Sequence, residues 1–166
     1  TATNKDNQIV IDTIAQGVPA FFGKSGSGEL IVIHNTGNVT EVFNLSVNKN
    51  TLPTGSIVEL FKADGVTPLT DTNGDGVADT GPVTSGATYQ VVAKVTLPSG
   101  YSTASAINTI LTSVPVTNPT ATDTITLAID EVTASTVDLH NGDATNSAVG
   151  SVSGASGQDT GQYVET

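Results

Sequence analysis

Oxygen-bearing side chains recur at every second position in one short stretch, Asp71-Thr72-Asn73-Gly74-Asp75-Gly76-Val77-Ala78-Asp79. A hard cation such as Ca²⁺ takes about six to eight oxygens from carboxylates, amides and backbone carbonyls in a tight loop. Gly76, the sixth residue of the stretch, permits the sharp turn that such a loop needs. The spacing therefore predicts a structural calcium site, with side-chain or backbone oxygens from Asp71, Asn73, Asp75, Val77 and Asp79.

The first half of this stretch matches the EF-hand pattern D-x-[DN]-x-[DN]-G, and the second half departs from it. The last position of an EF-hand loop carries a bidentate Glu, whereas Pro82 stands there in this chain. Asp79 can ligate directly or through a water molecule. The loop resembles the shorter calcium loops of dockerins and thrombospondin-type repeats. A plain turn without a metal stays open as the alternative, because Asp, Asn and Gly favour turns in any case.

The charge of the chain excludes several kinds of partner. Its 166 residues include 16 acidic and five basic side chains, which give a net charge of −11. Such a chain does not neutralise phosphates, so we expect no nucleic-acid partner. The apolar runs are far shorter than a bilayer is thick, so we expect no membrane insertion. The abundance of Thr, Ser, Val, Gly and Asn is typical of secreted β-proteins and favours an extracellular or cell-surface location.

Period-two alternation of apolar residues predicts that the chain is all-β, with no helix longer than a turn. In residues 88–97, for example, Tyr89, Val91 and Val95 point to the same side of the strand. Turn residues separate the strands, whereas residues 1–6 are polar and are expected to be loose. The predicted strands are 8–14, 17–22, 29–34, 40–47, 56–62, 88–97, 104–116 and 121–130.

Seven to eight short antiparallel strands without helices predict an immunoglobulin-like β-sandwich. The chain has no cysteine or tryptophan. We therefore expect the core to consist of aliphatic residues together with Phe43, Phe61 and Tyr89. The predicted domain covers residues 1–131. Residues 132–166 are richer in Gly, Ser, Asn and Asp, which indicates a flexible C-terminal segment, either a linker or the start of a further repeat.

Several segments resemble bacterial immunoglobulin-like repeat domains of surface-layer, adhesin and cell-wall proteins, which are akin to alpha-galactosidase-associated modules. The first is Ile33-His34-Asn35-Thr36-Gly37-Asn38-Val39-Thr40-Glu41-Val42-Phe43-Asn44-Leu45. Residues 62–69, the loop at 71–82, and residues 85–89 and 94–98 continue the likeness, which covers about residues 25–130. The resemblance implies a structural module of a bacterial surface assembly. It also implies partners of the same kind, either neighbouring repeats or further copies, and makes residues 132–166 an inter-repeat segment.

The leading hypothesis is therefore a structural surface module stabilised by calcium and without enzymatic activity. The chain's two histidines, His34 and His140, stand far apart and outside any recognisable nucleophile pattern. One alternative is a filament or pilus subunit that polymerises by strand addition, with residues 1–14 or the tail as the donor. Another is an accessory carbohydrate-binding module, for which the small number of aromatic residues is unfavourable.

Overall fold

Ten β-strands form the regular structure in a computed structural model, which describes residues 2–4 and 7–135. In chain order they are β1 (Ala2–Asn4), β2 (Gln8–Ala15), β3 (Ala20–Phe22), β4 (Ile31–His34), β5 (Glu41–Val47), β6 (Ile57–Lys62), β7 (Asp79–Val83), β8 (Thr88–Thr96), β9 (Ile107–Pro115) and β10 (Asp123–Thr133). The single helical piece in these residues is a 3₁₀ turn, Lys49–Thr51. A membrane-spanning helix is not found among them.

The strands form two sheets. The larger sheet has the order β1-β2-β10-β9-β5-β7. In the smaller sheet, β8 is central, with β4 and β3 one after the other along one of its edges and β6 along the other. The smaller sheet thus corresponds to strands B, E and D of an immunoglobulin sandwich, with β3 and β4 together as B, β8 as E and β6 as D. In the larger sheet, β5, β9 and β10 correspond to C, F and G. The predicted all-β, immunoglobulin-like sandwich is confirmed.

Two strands and the direction of one strand pairing differ from those predicted from the sequence. Residues 2–4, expected to be loose, form β1 beside β2. The Gly81-Pro82 segment belongs to β7, an edge strand on which the missing N–H of proline costs no ladder bond. The pairing of β2 with β10 is parallel, whereas all pairs were expected to be antiparallel. Period-two alternation identifies a strand but carries no information about its direction.

The core lies between the two sheets and follows the alternation of the strands. On β8, Val91, Ala93 and Val95 are fully buried, as the sequence predicted. The most deeply buried aromatic residue is Phe22, which the sequence did not single out, whereas Phe43 belongs to the core as expected. Phe61 is buried outside the inter-sheet cluster, and Tyr89 is half-buried against that cluster. The predicted segment 132–166 lies outside the described residues from position 136 onward, so its role stays a prediction.

Gly23 makes the turn that separates β3 from β4. Its φ is +80°, a left-handed conformation that other residues adopt at a cost. A Cβ atom at this position would lie 2.7 Å from the carbonyl oxygen of Val91 and 2.8 Å from Cγ1 of Ile31. Backbone conformation and close packing therefore both require glycine here.

We predict that Gly23→Ala lowers the free energy of unfolding by about 2–4 kcal/mol, because a left-handed penalty of about 1 kcal/mol adds to overpacking. Gly17→Ala is the matched control, since Gly17 has a φ of +81° and nothing within 4 Å of an added Cβ. The control should lose about 1 kcal/mol, the backbone part alone. Urea denaturation measures both values, and equal losses would contradict the close packing at Gly23.

Candidate functional site

The structure places the predicted calcium loop between a hairpin that extends β6 and the start of β7. Leu69 ends the hairpin, where its N–H donates to the carbonyl of Leu60 and its side chain is buried in the core. The loop then closes at its base, where the N–H of Asp79 donates to the carbonyl of Thr70 at 3.0 Å. Asp71, Asn73 and Asp75 stand on the exposed part of the loop, whereas Asp79 is buried.

Asp79 holds the base of the loop together with four hydrogen bonds. Its side chain is 1% exposed. Oδ2 accepts from the backbone N–H groups of Thr72 and Asn73 at 2.7 and 3.3 Å. Oδ1 accepts from the Thr72 hydroxyl and from the N–H of Gly81, both at 2.6 Å. Each carboxylate oxygen offers about two acceptor positions, so these donors saturate the group.

Asp71 organises the exposed turn of the loop through backbone donors. Its Oδ1 accepts from the N–H groups of Gly74 and Asp75 at 2.6 and 3.2 Å. Its Oδ2 accepts from the N–H of Gly76 at 2.7 Å. Gly76 has a φ of +90°, in keeping with the sharp turn predicted at this position. One acceptor position of Asp71 remains open, on Oδ2.

Asp75 connects the loop to β5 through Asn44. Its Oδ2 accepts from the side-chain amides of Asn44 at 2.6 Å and Asn73 at 3.2 Å, and its Oδ1 accepts from the N–H of Val77 at 2.9 Å. Asn44, which lies 31 residues earlier in the chain, was not predicted from the sequence as part of this site. No local signal marks it, because its place beside the loop results from the pairing of β5 with β7.

The hydrogen bonds of the loop keep two of its carboxyl groups ionised. Burial of Asp79 raises its pKa, and the donors on Thr72, Gly81 and Asn73 outweigh this effect, so the net pKa is lowered. The Asn44 amide, followed by the Val77 N–H, lowers the pKa of Asp75. The single ion pair of the described residues joins Lys94 to Glu59, away from the loop. Backbone and side-chain dipoles therefore balance the loop's negative charge.

The fit of the loop to a cation is partial. Asp71 and Asp75 each keep one open acceptor position, and the Asn73 and Val77 oxygens are of the kind that Ca²⁺ prefers. Asp79 would have to exchange one of its donors to contact an ion or a bound water. Within residues 7–135, no three His, Asp or Glu side chains converge in a way that could hold a metal. The same hydrogen bonds also fit a plain turn that needs no metal, which is the alternative left open by the sequence.

Of the two histidines, His34 is exposed at the end of β4 and does not belong to the arrangement around Asp79. His140 lies outside the described residues.

We predict that Asp79→Asn lowers the free energy of unfolding at pH 7 by about 2–4 kcal/mol, because an amide nitrogen then faces donors that have lost their acceptor. Asp12→Asn, at an exposed position on β2, is the control and should change the value by less than about 0.5 kcal/mol. Chemical denaturation measures both. A loss no larger than the control's would show that the four bonds are not stabilising.

Asp79 should also contribute to acid sensitivity. Its folded-state pKa lies below the ordinary value of 3.8, so its stabilisation is present above that value and is lost as the pH falls through the folded pKa. We therefore expect the wild type to lose more stability between pH 7 and about pH 2 than Asp79→Asn does. Identical pH profiles for Asp79→Asn and the wild type would contradict this assignment.

No known protein family matches the chain, and no curated protein matches it either. Solved structures give a distant likeness. The ASH/PapD-like domain 7 of human CEP192 is 13% identical with a TM-score of 0.38, over 79% of this chain and 82% of that one. The E. coli chaperone DraB is 12% identical with a TM-score of 0.36, over 71% of this chain and 57% of its own. At this level of similarity, no residue role carries over from either protein.

Proposed function

We propose that the chain is a structural module of a bacterial extracellular surface assembly, and that its 71–79 loop binds calcium. The observation that carries the proposal is the exposed row of Asp71, Asn73 and Asp75, whose two carboxylates keep acceptor positions open to solvent. The single ion pair of the described residues joins Lys94 to Glu59, away from the loop. No lysine among these residues therefore forms an ion pair with the loop carboxylates and competes with a dissolved cation for them.

In this proposal, Asp71, Asn73, Asp75 and the carbonyl of Val77 bind the ion directly. Asp79 anchors the base of the loop and reaches the ion only if it exchanges a donor, either for the ion or for a water molecule. Because Asn44 bonds to Asp75, an ion held by the loop would also stabilise its attachment to β5. Calcium binds only the folded loop, so its binding free energy adds to the stability of the domain.

The assembly role is supported by the composition and by the family resemblance of residues 25–130. A chain with net charge −11 suits a surface in contact with a medium that supplies divalent cations. The sandwich fold supplies a rigid unit that neighbouring repeats or further copies can contact. Calcium in the loop would stiffen such a unit in its working environment.

Strand addition is a second candidate function, and the structure restricts its donor. Residues 8–14, proposed as part of a donor, already lie in β2, which pairs with both β1 and β10. Ile9 and Ile11 of this strand are buried in the chain's own core. If subunits join by strand addition, β2 is thus an unsuitable donor, and a free edge elsewhere has to be the acceptor.

We predict that excess calcium raises the melting temperature of the wild type by about 5–10 °C over its value in chelator, as expected for an ion present at about 100 times its dissociation constant. In Asp75→Asn this difference should largely disappear, because one open carboxylate position is lost. The informative quantity is the difference between the two conditions, since Asp75 also accepts hydrogen bonds that are independent of the metal.

Asp64→Asn is the matched control. Asp64 is also exposed and also accepts backbone hydrogen bonds in a turn, but that turn lies at the tip of the β6 hairpin, outside the loop. This variant should keep the full calcium-dependent shift. A wild type that melts at the same temperature with calcium and with chelator would leave the loop as a plain turn. A shift that survives in Asp75→Asn would place the ion elsewhere.

A further inference from the structure

The free edge of β4 differs from the other sheet edges among the described strands. β1 and β3 have three residues each, β7 contains Pro82, and β6 carries Glu59 and Lys62. Short length, proline and charge are the usual means of protecting an edge from further pairing. The segment Leu30–Ile33 has no charged residue and no proline. It is thus an edge that remains open to another strand.

The backbone of β4 presents unpaired groups along this edge. The N–H of Asn35 donates to the carbonyl of Ala87, which continues the register of β4 on β8. In an antiparallel ladder, every second residue bonds to the same neighbour. Ile31 and Ile33 therefore bond to β8, and the N–H and C=O groups of Leu30, Val32 and His34 point away from it.

Apolar side chains accompany these open backbone groups. Ile31 and Ile33 point into the core, whereas Leu30 and Val32 lie on the outer face and are 43% and 50% exposed. Beside the same edge, a cleft of about 790 Å³ runs between the two sheets. Its apolar lining comes from both sheets and includes Ile31, Ile33, Phe43, Leu45, Leu111 and Ile125.

The topology explains why the cleft is open on this side. In an immunoglobulin sandwich, the first strand can lie beside the B strand. Here β2 pairs with β10 in the opposite sheet, so the place beside β4 is not filled by any described strand. Glu41, at the wall of the cleft, is already satisfied by the N–H of Val42 and by Thr117. The open position therefore calls for an uncharged strand with alternating apolar residues.

We propose that β4 pairs with β4 of a second copy of this chain, antiparallel and about a two-fold axis that passes midway between the two Val32 residues. A two-fold axis normal to the sheet places Val32 opposite Val32 and Leu30 opposite His34. These are the residues whose N–H and C=O groups face outward, so each such pair exchanges two hydrogen bonds. The edge is thus complementary to itself, as an isologous interface must be.

Charge does not prevent two copies from pairing at this edge. The chain carries a net charge of −11, so two copies can meet only where acids are absent from the contact. Leu30–Ile33 carries no acid in either copy, and the nearest acid, Glu29, would fall opposite the uncharged Asn35. Pairing also places Ile31 against Ile33 on the inner face, so that the mouths of the two clefts close on each other. The inference concerns a surface separate from the 71–79 loop and holds whether or not that loop binds calcium.

The test is sedimentation of the whole chain over a range of concentrations, with calcium and with chelator. The wild type should show a monomer–dimer equilibrium in both. Val32→Lys should raise the dimer dissociation constant roughly tenfold or more, because two like charges then lie directly opposite each other. Ile57→Lys is the matched control, since Ile57 is 56% exposed at the start of the edge strand β6. This control should dimerise like the wild type.

Mixing two charge variants tests the register. Val32→Lys and Val32→Glu should each dimerise more weakly than the wild type when alone and should form a tighter heterodimer when mixed, because the opposite charges pair across the axis. A wild type that stays monomeric at every concentration overturns the proposal. So does a dimer that Val32→Lys leaves intact, or a mixture that fails to pair.

A cysteine variant gives a second readout if the lysine variant folds poorly. Opposed residues in a hydrogen-bonded antiparallel pair have Cα atoms about 5.5 Å apart, within reach of a disulfide. The chain has no cysteine of its own. Val32→Cys should therefore give a disulfide-linked dimer under mild oxidation, and Ile57→Cys should not. Equal cross-linking of the two variants would contradict pairing through β4.

Discussion

The parallel pairing of β2 with β10 is the constraint on which much of this structure depends. Because the first long strand lies against the last one, the larger sheet extends to six strands. Because β2 lies in the larger sheet, it does not lie beside β4, and no described strand pairs with the outer edge of β4. The pairing of β2 with β10 thus accounts both for the six strands of the larger sheet and for the open edge of the smaller one.

The 71–79 loop follows a different rule, that a buried charge must be fully hydrogen-bonded. Asp79 meets this rule with backbone and hydroxyl donors drawn from both sides of the loop. The more exposed Asp71 and Asp75 use part of their acceptor capacity and leave the rest to solvent. The loop is thus held together by its own hydrogen bonds, while one acceptor position on each of Asp71 and Asp75 stays open to solvent.

Local patterns predicted most of the fold. The alternation in residues 88–97 and 121–130 is strong enough to locate β8 and β10 and their buried rows. Strand β7 was missed because Asp79 and Gly81-Pro82 look like the end of a turn, and only its neighbour β5 makes it a strand. Asn44 was missed for the same reason, since sheet pairing brings it to the loop. Long-range pairing is not encoded in any single window of sequence.

The direction of β2 relative to β10 also has a mechanical consequence. In a parallel pair, the start of one strand and the end of the other lie at opposite ends of the ladder. Tension that entered before Gln8 and left after Thr133 would first peel away the three residues of β1 and would then load the β2–β10 pair in shear. Its slanted, evenly spaced bonds would share that load instead of opening one after another. The geometry thus favours resistance to extension between these two points over stepwise opening of the sheet.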